Sequence, residues 1–271
     1  GVIMINIGLI TAKQATLQPN SWAVYDQTSN KRITFFELDE MVKKTANGLL
    51  SLGLKKGDRV SMLSQNTIEF LALFFACGRV GLVAHALNWR LGSDELTQIL
   101  KNGEPKVVII QGQFQNVVRD IQKDLNFVDH WLEYDSGSDH SFDALIDKSP
   151  SSEPIIANDI GDEDPFFILY TGGTTGVSKG ALHTHKSAYF GMLNQTVAER
   201  IVPSDVYMLT GQMFHIPVLL AMNYTAHGCP IVLMNFDAKL ALELIEEEKI
   251  SGFLGITTML NWMIITMTTT T

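Results

Sequence analysis

The chain has 271 residues, enough for one large domain or two smaller ones. A hydrophobic fraction of 46% against a charged fraction of 18% belongs to a folded globular protein and excludes a disordered chain. The net charge of −9, without a cluster of Lys and Arg, opposes nonspecific binding to nucleic acid.

Gly1 to Ile10 is apolar but lacks the basic start and cleavage pattern of a signal peptide. It is also too short to span a bilayer, so it reads as a first helix packed on the body, and no transmembrane segment is expected. Trp22 to Tyr25 reads as a strand and Asp26 to Lys31 as turn residues. Thr34 with Glu37 forms a capping box that opens a helix ending at about Leu52 before Gly53. Arg59 to Leu63 is a strand. Asn66 with Glu69 gives a second capping signal and an apolar helix through Phe75. Leu82 to Ala86 is a buried strand, Asp94 to Lys101 a helix, and Lys106 to Gln111 a strand rich in Val and Ile. Gln113 to Lys123 is helical and Phe127 to Glu133 extended.

Asp135 to Asp164 is rich in Ser, Asp and Pro and reads as a connecting stretch with a short helix at Phe142 to Ile146. Phe166 to Tyr170 is the next strand, and Ala181 to His185 is extended. Ser187 caps a helix to Arg200. Val206 to Leu209 and Pro230 to Met234 are strands, Asp237 caps a helix through Lys249, Gly252 to Gly255 is a short strand, and a helix starts at Thr257. This alternation implies an α/β fold with parallel sheets flanked by helices. The expected organisation is a first α/β subdomain with its connecting stretch over 1–160, and the start of a second part over 161–271. Cys77 and Cys229 lie far apart in apolar surroundings, without a CxxC pair. They read as buried thiols of a reduced, cytoplasmic protein, not as metal ligands.

Chemistry concentrates between the strand at Tyr170 and the extended segment after Gly180. The run Thr171, Gly172, Gly173, Thr174, Thr175, Gly176, Val177, Ser178, Lys179, Gly180 carries glycines that allow close backbone approach to a ligand. Successive N–H groups in such a loop form an anion nest, threonine hydroxyls add donors, and Lys179 adds a positive charge. A polyphosphate suits that set. Walker geometry is excluded, since Ser178 precedes Lys179 and Gly180 follows it, and no G-x-G-x-x-G is present. A solvent-exposed Gly/Thr loop has the same composition, and composition alone leaves both readings open. The ordered pattern T-G-G-T-T-G-x-x-K-G is far more specific.

That pattern resembles the signature loop of the adenylate-forming superfamily, which includes acyl-CoA synthetases, luciferases and the adenylation domains of nonribosomal peptide synthetases. With Ala181, Thr184 and His185 downstream, it is most similar to fatty acyl-CoA synthetases, apart from Ser178 at the usual proline. Leu87-Asn88-Trp89-Arg90-Leu91, Glu104 to Val107, Met213-Phe214-His215-Ile216-Pro217 and the region from Phe236 to Leu260 are similar to further stretches of the family. The resemblance covers about Trp22 to Trp262.

The resemblance implies formation of an acyl-adenylate from ATP and a carboxylic acid, with a fatty acid expected, and transfer of the acyl group to coenzyme A. Thr171, Gly172, Gly173, Thr174, Thr175 and Gly176 would hold the β- and γ-phosphates with Lys179 as charge partner, and Thr171 would approach Mg²⁺. His215 would line the acyl pocket and orient the carboxylate. Local sequence alone favours a core histidine between Phe214 and Ile216; the motif in register favours the pocket. His183 and His185 read as packing or hydrogen-bonding beside the loop, His85 and His227 as structural, and Trp89 with Arg90 as a packing and surface pair.

No Y-G-x-T-E stretch (the family's Mg²⁺ glutamate) and no T-G-D stretch (its ribose aspartate) occurs. The catalytic lysine of the small C-terminal domain has no counterpart either. The expectation is therefore an acid–thiol ligase portion that is truncated and inactive alone. Strand edges and apolar faces left uncovered predict self-association, for instance a homodimer. Two other readings stay open: an aryl- or amino-acid adenylation domain, and a non-catalytic fragment or interaction module.

Overall fold

The computed structural model describes residues 5–139, 141–170 and 180–269. Thr171 to Lys179, the residues expected to bind phosphate, lie outside the described residues. After a 3₁₀ turn at Ile7–Leu9 come α1 (Ile10–Leu17), β1 (Trp22–Asp26), β2 (Lys31–Thr34), α2 (Phe35–Ser51), β3 (Arg59–Leu63), α3 (Ile68–Val80), β4 (Val83–Leu87), α4 (Ser93–Gly103), β5 (Val107–Gln111), α5 (Gln115–Arg119), β6 (His130–Tyr134) and α6 (Phe142–Lys148). The chain continues with β7 (Pro165–Tyr170), β8 (Gly180–Thr184), α7 (His185–Glu199), β9 (Tyr207–Leu209), α8 (Pro217–Ala226), β10 (Ile231–Leu233), α9 (Ala238–Glu247), β11 (Gly252–Phe253) and α10 (Thr257–Thr269).

Two sheets result. One runs β11-β9-β10-β1-β2 and the other β6-β5-β3-β4-β7-β8. Each is parallel except at one edge, where β2 runs antiparallel to β1 and β8 antiparallel to β7. The α/β expectation holds, with the parallel sheets corrected to mixed ones. The division at residue 160 does not separate the sheets, because β1 and β2 join β9, β10 and β11, while β7 and β8 join β3 to β6.

The helices α2 and α3 pack between the sheets. Every residue of α3 except Glu69 is buried, as expected for a helix that is apolar all round. The six-stranded sheet is apolar on both faces with a period of two. Val60, Met62, Ala84, Ala86, Val107 and Ile109 face the α2/α3 layer, whereas Leu63, Val83, Leu87, Val108 and Ile110 join Leu96 and Leu100 of α4. The outer face of the other sheet, through Met208 and Val232, is covered by Ala241 and Leu244 of α9 and Met263 of α10. No helix of the described residues is long and apolar enough to cross a membrane.

Several local expectations are corrected. The strand β2 falls partly on residues read as a turn; it is a short edge whose Lys31 and Arg32 point outward, a charged pattern that hides a strand signal. Thr67, not Asn66, caps α3, its hydroxyl accepting from the Phe70 N–H at 3.1 Å. That helix runs five residues past Phe75, to Val80, and stops at Gly81 with φ of +79°. Thr184 caps α7, and Ser187 occupies the reciprocal position of its capping box. The helix expected over Gln113 to Lys123 is broken into two 3₁₀ turns and the five-residue α5.

Candidate active site

The strand β7 ends at Tyr170 and β8 begins at Gly180, and these two residues are antiparallel partners across the edge of the sheet. Tyr170 lies at the carboxyl end of a strand parallel to β4, the end at which α/β sheets receive ligands. A Cβ built on Gly180 would meet the Tyr170 ring at 3.1 Å, so the two ends of the 171–179 segment close on each other.

His215 is brought to this point. Its Nδ1 lies 3.2 Å from the Tyr170 carbonyl oxygen, which only accepts, so Nδ1 carries the proton and Nε2 is left as an acceptor. Burial first, and the nearby Arg90 charge, push the imidazole below its ordinary pKa, against the supporting Tyr170 hydrogen bond. The ring is half-buried and packs edge-on to Phe214, centroids 4.4 Å apart. His215 is thus a neutral, oriented imidazole beside the base of the 171–179 segment.

The segment that carries His215 is anchored from a distance. Asn66, 2% exposed, accepts from the Met213 N–H at 2.9 Å and donates to the Gly211 carbonyl at 2.7 Å. Pro217 then opens α8 at a position where its missing N–H costs nothing. Asn66 was expected to cap a helix; its partners lie 145 and 147 residues away, beyond any local sequence signal. Trp89 donates through Nε1 to Gln212 Oε1 at 2.9 Å, and the Arg90 guanidinium stacks over Trp89 at 4.8 Å and approaches the Phe214 ring at 6.0 Å. The pair read as packing and surface therefore borders the same site.

His183, His185, His85 and His227 pack as expected. His183 stacks on Phe167 and His185 on Phe166, with centroids 4.4 and 4.9 Å apart. His85 is fully buried in hydrogen bonds to Ser61 and Tyr170, and His227 pairs with Thr196. Cys77 and Cys229 are buried free thiols, and burial pushes the pKa of Cys229 up to about 12, leaving it protonated and inert. Among the described residues no group of three or more His, Cys, Asp and Glu could hold a metal ion.

A family model for AMP-binding enzymes matches residues 11–270. The chain belongs to that family. Among similar AMP-binding proteins is the long-chain-fatty-acid–CoA ligase FadD13 of Mycobacterium tuberculosis, 31% identical over 265 residues that cover 96% of this chain and 51% of the relative. A feruloyl-CoA synthase from an Amycolatopsis species is 28% identical over 256 residues, covering 93% of this chain and 49% of the relative. The chain thus spans about half the length of the curated relatives it matches. In structure it is similar to the N-terminal domain of FACL13 from Mycobacterium tuberculosis, with a TM-score of 0.90 at 30% identity, covering 96% of this chain and 65% of that one.

Proposed function

We propose that this chain carries the phosphate-binding and acyl-orienting part of an acid–thiol ligase that activates a carboxylic acid, a fatty acid first among candidates, to its adenylate and then its coenzyme A thioester. The observation that carries the reading is His215, neutral and aimed, held on the carbonyl of the residue that opens the Gly/Thr segment. The names of the relatives support the choice of acid, with a long-chain fatty acid at 31% identity and ferulate at 28%.

In this reading Thr171 to Gly176 and Lys179 bind the ATP phosphates, and Thr171 is the one chain ligand offered to Mg²⁺. The described residues beside the segment suit an anion, since Arg90 adds a positive charge next to His215 and Tyr170, Gly180 and His215 add no negative one. Mg²⁺, when bound, would neutralise phosphate charge. His215, with its proton on Nδ1 committed to Tyr170, offers the acid an uncharged, half-buried ring that positions it by packing, acting as an orienting residue and not as a nucleophile. The missing adenosine- and lysine-bearing motifs support a chain that does not complete the reaction by itself. The buried free thiols support a reducing, cytoplasmic setting, and self-association belongs to the same proposal.

The test is release of AMP and pyrophosphate, coupled to thioester formation, measured with acids of increasing chain length and with aryl and amino acids on the longest natural protein that contains this chain. Turnover with fatty acids supports the reading. Turnover confined to amino acids, or captured on a carrier protein, would replace it with an adenylation domain.

A further inference from the structure

On the α4 face of the six-stranded sheet, where the neighbours are Leu63, Val83, Leu87, Leu100 and Val108, three polar side chains are buried together. Strand register puts them there. Ser61 and His85 are partners across β3 and β4, His85 and Ile168 are partners across β4 and β7, and Tyr170 lies two residues along on the same face. The Ser61 hydroxyl is 2.5 Å from His85 Nδ1, His85 Nε2 is 2.7 Å from the Tyr170 hydroxyl, and that hydroxyl lies 3.4 Å from Asn102 Oδ1. Direction follows from the last member. Asn102 Oδ1 only accepts, so Tyr170 donates to it and accepts from His85 Nε2–H. His85 Nδ1 must then accept from Ser61. Burial, reinforced by Arg59, holds the imidazole pKa down at about 3, so His85 is neutral and moves no proton in this chain.

Three aliphatic side chains would fill this space without the cost of desolvating polar groups. What the polar chain adds is a fixed position for its end member. Tyr170 is held at its hydroxyl by His85 and at its carbonyl by His215, and its ring lies against Gly180. We propose that Ser61, His85 and Tyr170 form a buried strut that fixes both ends of the 171–179 segment, and that they are positioning residues for nucleotide use. Their part in nucleotide use rests on the function proposed above; their hold on the segment ends does not.

Tyr170→Phe keeps the ring and removes only the hydroxyl, and Ser61→Ala releases the far end of the strut should the first variant fold poorly. Two readouts apply to the full chain and to the longest natural protein containing it. The first is the rate of tryptic cleavage after Lys179 under native conditions, relative to all other cleavage sites. The second is KM for ATP against KM for the acid in pyrophosphate exchange. Loss of one buried hydrogen bond predicts a change of about tenfold: faster cleavage at Lys179 with other sites unchanged, and a higher KM for ATP with KM for the acid changed far less. Unchanged cleavage at Lys179, or equal acceleration at every site, overturns the strut. Selective acceleration in a protein whose wild type exchanges no pyrophosphate with any acid leaves the strut standing and removes the proposed function.

Discussion

Asn66 shows how one side chain places the candidate site. Both halves of its amide are engaged by the backbone on either side of Gln212, so Asn66→Ala would strand a buried N–H and a carbonyl together. The expected cost is about 2–4 kcal/mol in chemical denaturation, with kcat/KM falling further than stability explains because His215 loses its anchor. Imidazoles set a second prediction. His85 and His185 are fully buried, and burial holds their pKa values at about 3 and about 4, from an ordinary value of 6.5; Asp164 and Asp162 partly oppose the shift at His185. Below pH 6.5 the unfolded chain takes up protons that the folded chain refuses. Stability is therefore full above that pH and falls as pH drops toward 4, by about 1.4 kcal/mol per pH unit for each histidine. Buried Asp26 and half-buried Asp143, whose pKa values are raised by desolvation, act in the opposite sense in the carboxylate range. Urea midpoints at pH 7, 6 and 5 check this, and a flat profile over that range would contradict it. For His185 the structural reason is visible: Nδ1 accepts from the Ile7 N–H at 2.9 Å, so protonation there sets two hydrogens against each other.

At the scale of elements, α3 is the centre of the molecule. Phe74 is fully buried, stacked on Phe70 at 5.3 Å and edge-on to Phe167 of β7 at 6.3 Å. Phe74→Ala should cost about 3–5 kcal/mol, measured by thermal or chemical unfolding, since neither sheet can collapse into the space. The helices were legible because their ends are written locally, as the Thr34–Glu37 capping box demonstrates with both of its hydrogen bonds present. Error entered at Asn66, read as the cap that its neighbour Thr67 provides, and at the charged edge strand β2, whose first residue Lys31 was read as part of a turn. The 171–179 motif and His215 were legible as patterns. Asn66 to Met213 and Ser61 to Tyr170 were not: the first joins residues 147 apart, and the second depends on strand register and on a His85–Tyr170 contact 85 residues apart. Burial of Arg79 is a further case: its guanidinium joins Asp39 of α2 to Glu153 of the connecting stretch, an ion-pair bridge that no local pattern announces.

For the whole molecule, the described surface is unevenly apolar. Tyr189, Phe190, Leu193 and Val197 form one exposed stripe along α7, Leu182 is exposed on the edge strand β8, and Leu260, Ile264 and Ile265 are exposed on α10. Stripes of this kind favour association. Sedimentation velocity on the 271-residue chain should show a concentration-dependent shift from monomer to larger species, and Phe190→Glu with Val197→Glu should move it back. A monomer at every concentration would remove this part of the proposal. The central claim concerns chemistry, and acid-dependent exchange of labelled pyrophosphate into ATP tests it most directly, because it reports acyl-adenylate formation before any thiol is involved. The account predicts exchange with fatty acids by the longest natural protein containing this chain, lost on His215→Ala while the fold is retained. Absence of exchange with every carboxylic acid, in a protein that is folded and binds ATP, would contradict it.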